Sequence, residues 1–284
     1  QYILIGSSST LSDEYRFLSA DTPDEEFKLF QPRERNLEYG IAHFNDHWYI
    51  RTNKDGATNF KIMRAPLKAT SQENWEDLIA HRNHVYVEGI ELFRDFFVVE
   101  ERSNGLTQMR IERWDTGEQH YLDFGETTYT AYTGSNADFN TDELRYGYTS
   151  LTTPSSVVEY NMHLRSKVVL KEQEVVGGYN KMQYSSERIW ATAEDGTQVP
   201  ISLVYKNDQL KDDGNPTLLY GYGSYGITVD AAFSSTRLSL LDRGFIFAIA
   251  HIRGGQYLGR QWYEDGKLLK KKNTFTDFIS CGEH

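Results

Sequence analysis

The sequence predicts two unlike halves: β-propeller-type strand repeats over residues 1–176 and an α/β segment over 177–284. Three observations carry this. In the first half, Phe60-Lys61-Ile62, Met109-Arg110-Ile111 and Val158-Glu159-Tyr160 each follow a strand and then a polar turn, and Ile62, Ile111 and Tyr160 follow one another at 49 residues. A period of about 40–50 residues with about four strands is the signature of a propeller blade. In the second half, the apolar run Thr217-Leu218-Leu219 leads into Tyr220-Gly221-Tyr222-Gly223-Ser224-Tyr225-Gly226. A second apolar run, 244–252, ends in Arg253-Gly254-Gly255, with a helix-length segment between the two. Two apolar strands that each end in a glycine turn and are joined through a helix form a βαβ unit.

The elements follow in order. Strands are predicted at 15–18, 27–30, 47–51, 60–63, 96–101, 109–114, 144–148 and 157–162. Turn residues divide them at Lys54-Asp55-Gly56, Ser103-Asn104-Gly105, Asp115-Thr116-Gly117 and Thr152-Thr153-Pro154-Ser155. This amounts to about three and a half blades, too few to close a ring; a plain β-sandwich is the alternative. Residues 181–205 read as two strands around Glu194-Asp195-Gly196-Thr197, and 206–216 as a polar loop. From Thr217 the order is strand, loop, helix (233–242), strand (245–252), loop and a helix from Asn273, which is α/β architecture. The boundary between the halves is expected at Gly177-Gly178. Gln1 already lies in a strand, and the last helix is cut at His284, so the chain is read as an internal fragment.

Composition excludes several function classes. The net charge of −11 argues against a nucleic-acid partner, because phosphate binding needs basic patches. No apolar run approaches the ~20 residues of a membrane span. The single cysteine, Cys281, forms no internal disulfide and fits a reducing, cytoplasmic setting. An aromatic share of 14%, including 19 tyrosines, suits half-buried sheet faces.

In parallel α/β sheets ligands bind outside the carboxyl ends of the strands, which places the site at residues 220–230 and 253–259. Gly221-x-Gly223-x-x-Gly226 formally matches a dinucleotide fingerprint. Such a turn should open into a helix, yet β-branched Ile227-Thr228-Val229 follows. The second strand ends in Ala250-His251-Ile252-Arg253 without an acid for the ribose, although an arginine suits NADP, so that reading stays open. No serine lies in a Gly-x-Ser-x-Gly elbow, since Tyr222 stands two before Ser224. No metal or P-loop motif is present, and no cofactor is expected. His251 reads as a structural histidine. The run from Lys267 to Lys272 and Asp24-Glu25-Glu26 read as solvated faces, and Trp262, Tyr263, Phe275 and Cys281 as packing residues.

Tyr220 to Gly226, Ile252-Arg253-Gly254-Gly255, Gly259, Trp262 and Lys272-Asn273-Thr274-Phe275-x-Asp277-Phe278 together resemble the prolyl oligopeptidase family of serine peptidases. Trp262-Tyr263-Glu264-Asp265-Gly266-Lys267 and the run from Ser235 to Asp242 resemble its oligopeptidase B branch, which cleaves short peptides after Arg and Lys. The match is strong over about 217–279 and weaker before it. The resemblance implies the C-terminal part of a seven-bladed β-propeller followed by the first part of an α/β-hydrolase domain. It implies short basic peptides as substrates, which the propeller would filter by size.

Within this resemblance Tyr222 matches the tyrosine whose hydroxyl donates to the oxyanion. A donor fixed on a tight turn needs little reorganisation when charge develops. Tyr225 matches a residue lining the first specificity pocket. Asp230 matches one of two acids that meet a second basic residue; the other position holds Ala232. Arg253 is grouped with the substrate-binding residues, and Gln256-Tyr257 stands where the branch often has Gly-Glu. Serine, aspartate and histidine follow in that order and would all lie after residue 284, so the fragment is expected to be inactive. Cut sheet edges are expected to make it self-associate. A proline-specific peptidase of the same family and a non-catalytic propeller binding module are the other readings.

Overall fold

The computed structural model describes residues 1–284. Four antiparallel sheets succeed one another along the first half. The first holds β1 (Tyr2–Ser9), β2 (Ser12–Ser19) and β3 (Lys28–Leu29). The second holds β4 (Tyr39–Phe44), β5 (His47–Thr52), β6 (Lys61–Pro66) and β7 (Glu76–Ile79). The third holds β8 (Val85–Leu92), β9 (Phe96–Ser103), β10 (Leu106–Arg113) and β11 (Gln119–Tyr121). The fourth holds β12 (Tyr129–Thr133), β13 (Glu143–Ser150), β14 (Ser156–Asn161) and β15 (Ser166–Glu172). Every strand pairs with its sequence neighbour, as in propeller blades.

The 49-residue period has a structural cause. Ile62, Ile111 and Tyr160 occupy the third strand of three successive sheets, opposite Arg51, Val98 and Leu144, and all three are buried. Side chains alternate between the two faces of a strand. Phe96 and Val98 on β9 therefore pack toward the fourth sheet with Leu144 and Tyr146, while Phe97 and Val99 pack toward the second with Phe60 and Ile62. The unbroken run Phe96-Phe97-Val98-Val99 is thus a strand buried on both faces. Sheets stacked in series, with the third buried between the second and the fourth, rule out the two-sheet sandwich.

The second half starts with the hairpin of β16 (Tyr184–Thr192) and β17 (Gln198–Lys206). Next come β18 (Thr217–Tyr220), α1 (Ser235–Leu241), β19 (Ile246–Ala250), α2 (Arg260–Glu264) and α3 (Lys272–Glu283). The sheet order is β16-β17-β19-β18; β18 and β19 are parallel with α1 in their crossover, as the apolar runs predict. One face buries Ala191, Ile201, Ala248 and Ala250 with Trp262 and Cys281; the other buries Val204 and Ile249 with Leu241. Helices on both sides give the layered α/β plan.

Two details depart from the sequence reading. The five-residue helix α2 was not foreseen; it follows Gly259, whose φ of 96° favours glycine. Phe275 is 62% exposed rather than packed, because α3 turns Thr274, Asp277 and Cys281 to the sheet instead. Trp262 is buried as expected, and its Nε1 donates to His251 O at 2.9 Å.

The two halves are hydrogen-bonded to each other. Thr128 and Ser202 hydroxyls lie 2.9 Å apart, Arg260 N donates to Asn59 Oδ1 at 2.9 Å, and the Arg260 guanidinium lies 3.3 Å from Glu38.

Candidate active site

Because β18 and β19 are parallel, their carboxyl ends and both glycine turns fall on the same side of the sheet. Gly226 and Gly255 form a parallel bridge, and Gly226 N donates to Gly254 O at 2.9 Å. Ile227 N closes the first turn on Ser224 O at 3.0 Å. A Cβ on Gly254 would stand 2.1 Å from Gly223 O, and one on Gly223 would stand 2.9 Å from Arg253 O. Both obstacles are backbone, and both residues have positive φ, so only glycine allows the turns to meet.

The glycines therefore serve contact between two turns. No helix opens at them, and α1 begins at Ser235, after Ile227-Thr228-Val229 and a further loop. The geometry that would hold a pyrophosphate at a helix N-terminus is missing, and the NADP reading falls with it.

The same turn displays the aromatic residues. Tyr222 is 43% exposed between the two close-packed glycines. Tyr225 is 84% exposed and has φ 56°, a left-handed conformation that costs a non-glycine residue about 1 kcal/mol or more. Strain of this kind is held where surrounding structure over-determines it, and the bridge to Gly255 does that here.

The start of α3 clamps both turns. Lys271 Nζ donates to Ser224 Oγ at 2.6 Å and also to Gly223 O. Thr274 Oγ1 donates to Arg253 O at 2.7 Å. Arg253 donates to Asp277 three times, from its backbone N (3.0 Å), Nε (2.9 Å) and Nη2 (2.6 Å), and its Nη1 donates to Asp195 at 2.7 Å. The Asp277 carboxylate is fully buried. Hydrogen bonds from Arg253 and Thr197 hold the Asp195 carboxyl down at about 2.

Two expectations are corrected by this arrangement. Arg253 was grouped with the substrate-binding residues, but it faces inward and its donors are taken by two carboxylates of the chain. Lys271 was read as part of a solvated run, but it braces the turn that carries Tyr222.

Asp230 follows the first turn and meets the propeller half. Arg102 of β9 donates from Nη1 to Asp230 Oδ1 at 2.8 Å and from Nε to Glu88 Oε1 at 2.8 Å. Burial raises the Glu88 carboxyl, while Arg102 lowers it. Burial, with Glu100 nearby, pushes the Glu91 carboxyl up to about 7. Arg102 and Glu88 were missed by the sequence reading, since no local spacing ties them to Asp230.

His251 is structural. Its Nε2 lies 2.8 Å from Ser202 Oγ, its ring stacks on Tyr257 at 3.6 Å, and burial lowers its pKa well below the ordinary value. Ser202 is fully buried, so this Ser–His contact has no access to substrate. No group of three or more His, Cys, Asp or Glu is arranged to hold a metal ion. No helix is long and apolar enough to cross a membrane.

Comparison with known proteins agrees with this geometry. Residues 1–173 match the family model described as the prolyl oligopeptidase N-terminal beta-propeller domain, and residues 231–284 match that described as the prolyl oligopeptidase family. The chain belongs to the prolyl oligopeptidase family. Dipeptidyl aminopeptidase BI of Pseudoxanthomonas mexicana is 48% identical over 100% of this chain and 39% of its own length. Protease 2 of Moraxella lacunata is 36% identical over 100% of this chain and 40% of its own length. The structure of oligopeptidase B from Leishmania major superposes with a TM-score of 0.93 at 35% identity, over 99% of this chain and 41% of that one. The chain thus spans about two fifths of the prolyl oligopeptidase family members it matches. The fold is that of their propeller followed by the start of their hydrolase domain.

Proposed function

We propose that the protein containing this chain is a serine oligopeptidase that cleaves short peptides after Arg or Lys by acyl-enzyme chemistry. One observation carries the reading. Tyr222 stands exposed on a turn whose backbone is locked by a second glycine turn, Lys271 and Thr274, which offers its hydroxyl as a donor at the carboxyl end of a parallel strand pair. A fixed donor stabilises the oxyanion that develops when a serine attacks a carbonyl. Tyr225, beside it on the same turn, is assigned to the first specificity pocket and Asp230 to the neighbouring subsite. Arg253 is assigned no substrate contact; it positions the second turn.

The 284 residues hold no Gly-x-Ser-x-Gly, so the chain by itself is expected to hydrolyse nothing. In the full-length protein, Tyr222→Phe should lower kcat on an Arg-amide by about 10²–10³ with KM little changed. A kcat within threefold of the parent would remove Tyr222 from the oxyanion hole. Comparing Arg- and Pro-amides separates this reading from the proline-specific one.

The most similar of the relatives described above favours a second reading of the same site, release of dipeptides from a free amino terminus. Cleavage of Arg-Arg-amide but not of its acetylated form would select it.

A further inference from the structure

The carboxylate of Asp230 is already engaged, and its partner comes from the other half of the chain. Arg102 Nη1 donates to Asp230 Oδ1 at 2.8 Å, and Nη2 lies 3.4 Å from Oδ2, so the guanidinium faces both carboxylate oxygens. Two further donors are used: Nε donates to Glu88 at 2.8 Å and Nη1 to Gly105 O at 3.1 Å. The Arg102 side chain is 5% exposed, whereas Asp230 is 27% exposed. The cation therefore sits behind its carboxylates, and Asp230 and Glu88 show at the surface while Arg102 does not.

An arginine is never deprotonated in a protein, so this cation is permanent. A second guanidinium approaching Asp230 is attracted by the carboxylate and repelled by Arg102 a few ångströms further in. Ala232 supplies no further carboxylate.

We infer that Arg102 is a specificity-determining residue: it occupies Asp230 as an internal guanidinium and suppresses preference for a basic side chain preceding the scissile Arg or Lys. The inference rests on the reading of Asp230 as a substrate subsite.

The test compares kcat/KM of the full-length enzyme for two amides that share the scissile arginine and differ in the residue before it, Arg or Gln. The parent should discriminate by less than about threefold. Arg102→Gln exposes the Asp230 carboxylate, and the Arg/Gln ratio should rise about tenfold, the worth of one charged hydrogen bond. Adding Asp230→Asn should abolish the rise.

Because Arg102→Gln leaves Glu88 without its cation, the double variant Glu88→Gln/Arg102→Gln is measured beside it. That pair of changes leaves the local net charge as it was. A ratio that rises in the double variant therefore reports release of Asp230 rather than a general field. A purely structural role for Arg102 lowers kcat/KM for both substrates equally and leaves the ratio unmoved, which would overturn the inference. Failure of the full-length enzyme to cleave either Arg-amide would instead sink the peptidase reading, and this assignment with it.

Discussion

The Arg253–Asp277 pair offers the most direct test of what holds the glycine turns together. Asp277 is fully buried and accepts three hydrogen bonds, all from Arg253. Asp277→Ala removes them at once. It leaves a largely buried guanidinium with Asp195 as its remaining carboxylate partner and an orphaned Arg253 backbone N–H in the second glycine turn. Removing one partner of a buried pair costs about 3–5 kcal/mol, most of it the penalty of the stranded charge. Asp195 is the internal control: it contacts the same guanidinium once, at 2.7 Å, and is 48% exposed. For an exposed partner the expected cost of Asp195→Ala is about 0.2–1 kcal/mol. The assay is urea unfolding of the purified chain followed by tryptophan fluorescence, to which Trp262 contributes as one of five tryptophans. Each variant's midpoint is compared with the parent at constant slope. If packing rather than charge governs the site, the double replacement Arg253→Met/Asp277→Leu should recover most of the loss, because well-packed apolar groups substitute for buried ion pairs at little cost. A loss for Asp277→Ala within 1 kcal/mol of that for Asp195→Ala would refute the reasoning.

Two further outcomes are expected of the chain alone. Glu91 has its folded pKa raised to about 7 by burial and by Glu100, against about 4.3 unfolded, so the native state binds the extra proton and stability falls as pH rises from about 4.3 through 7. Glu91→Gln should therefore be near-neutral at pH 4 and stabilising at pH 8, by no more than about 4 kcal/mol; a pH-independent difference between variant and parent would contradict this. Strand β15 is exposed along its whole length, with Val168, Val169 and Leu170, and Ile3, Leu4 and Ile5 are exposed on β1, so the chain should self-associate through these edges. A single monomer peak in light scattering at micromolar concentration, with cooperative unfolding, would count against it.

What was legible in the sequence was what local physics dictates. The 49-residue spacing showed because the third strand of each blade must place an apolar residue at the same depth between two sheets. Gly223, Gly226 and Gly254 showed because close backbone approach at positive φ admits little else. What stayed hidden is carried by pairs distant in the chain. Arg102 meets Asp230 across 128 positions, and Lys271 reaches back 47 to Ser224. Neither partner is unusual in its own neighbourhood, so a lysine run reads as solvated and an acid as free until the fold brings them together. Arg253 was misplaced for the same reason, because its two carboxylates lie on a hairpin turn and a helix far from it in sequence.

The ambiguity of Gly221-x-Gly223-x-x-Gly226 follows from this. Glycines at that spacing state that something must approach the backbone closely, and they do not state what. In a dinucleotide site the visitor is a pyrophosphate; here it is the Arg253-Gly254-Gly255 turn of the same sheet. The discriminating information lies downstream, in whether the next residues can start a helix, and Ile227-Thr228-Val229 cannot do so readily. With the glycines committed to turn-to-turn contact, the residues between them are presented outward on a rigid backbone frame, which is what the proposed role of Tyr222 as oxyanion donor calls for. A catalytic hydrogen bond to a transient oxyanion gains most from a donor held in this way, because no part of its stabilisation is lost to reorganisation at the moment charge appears.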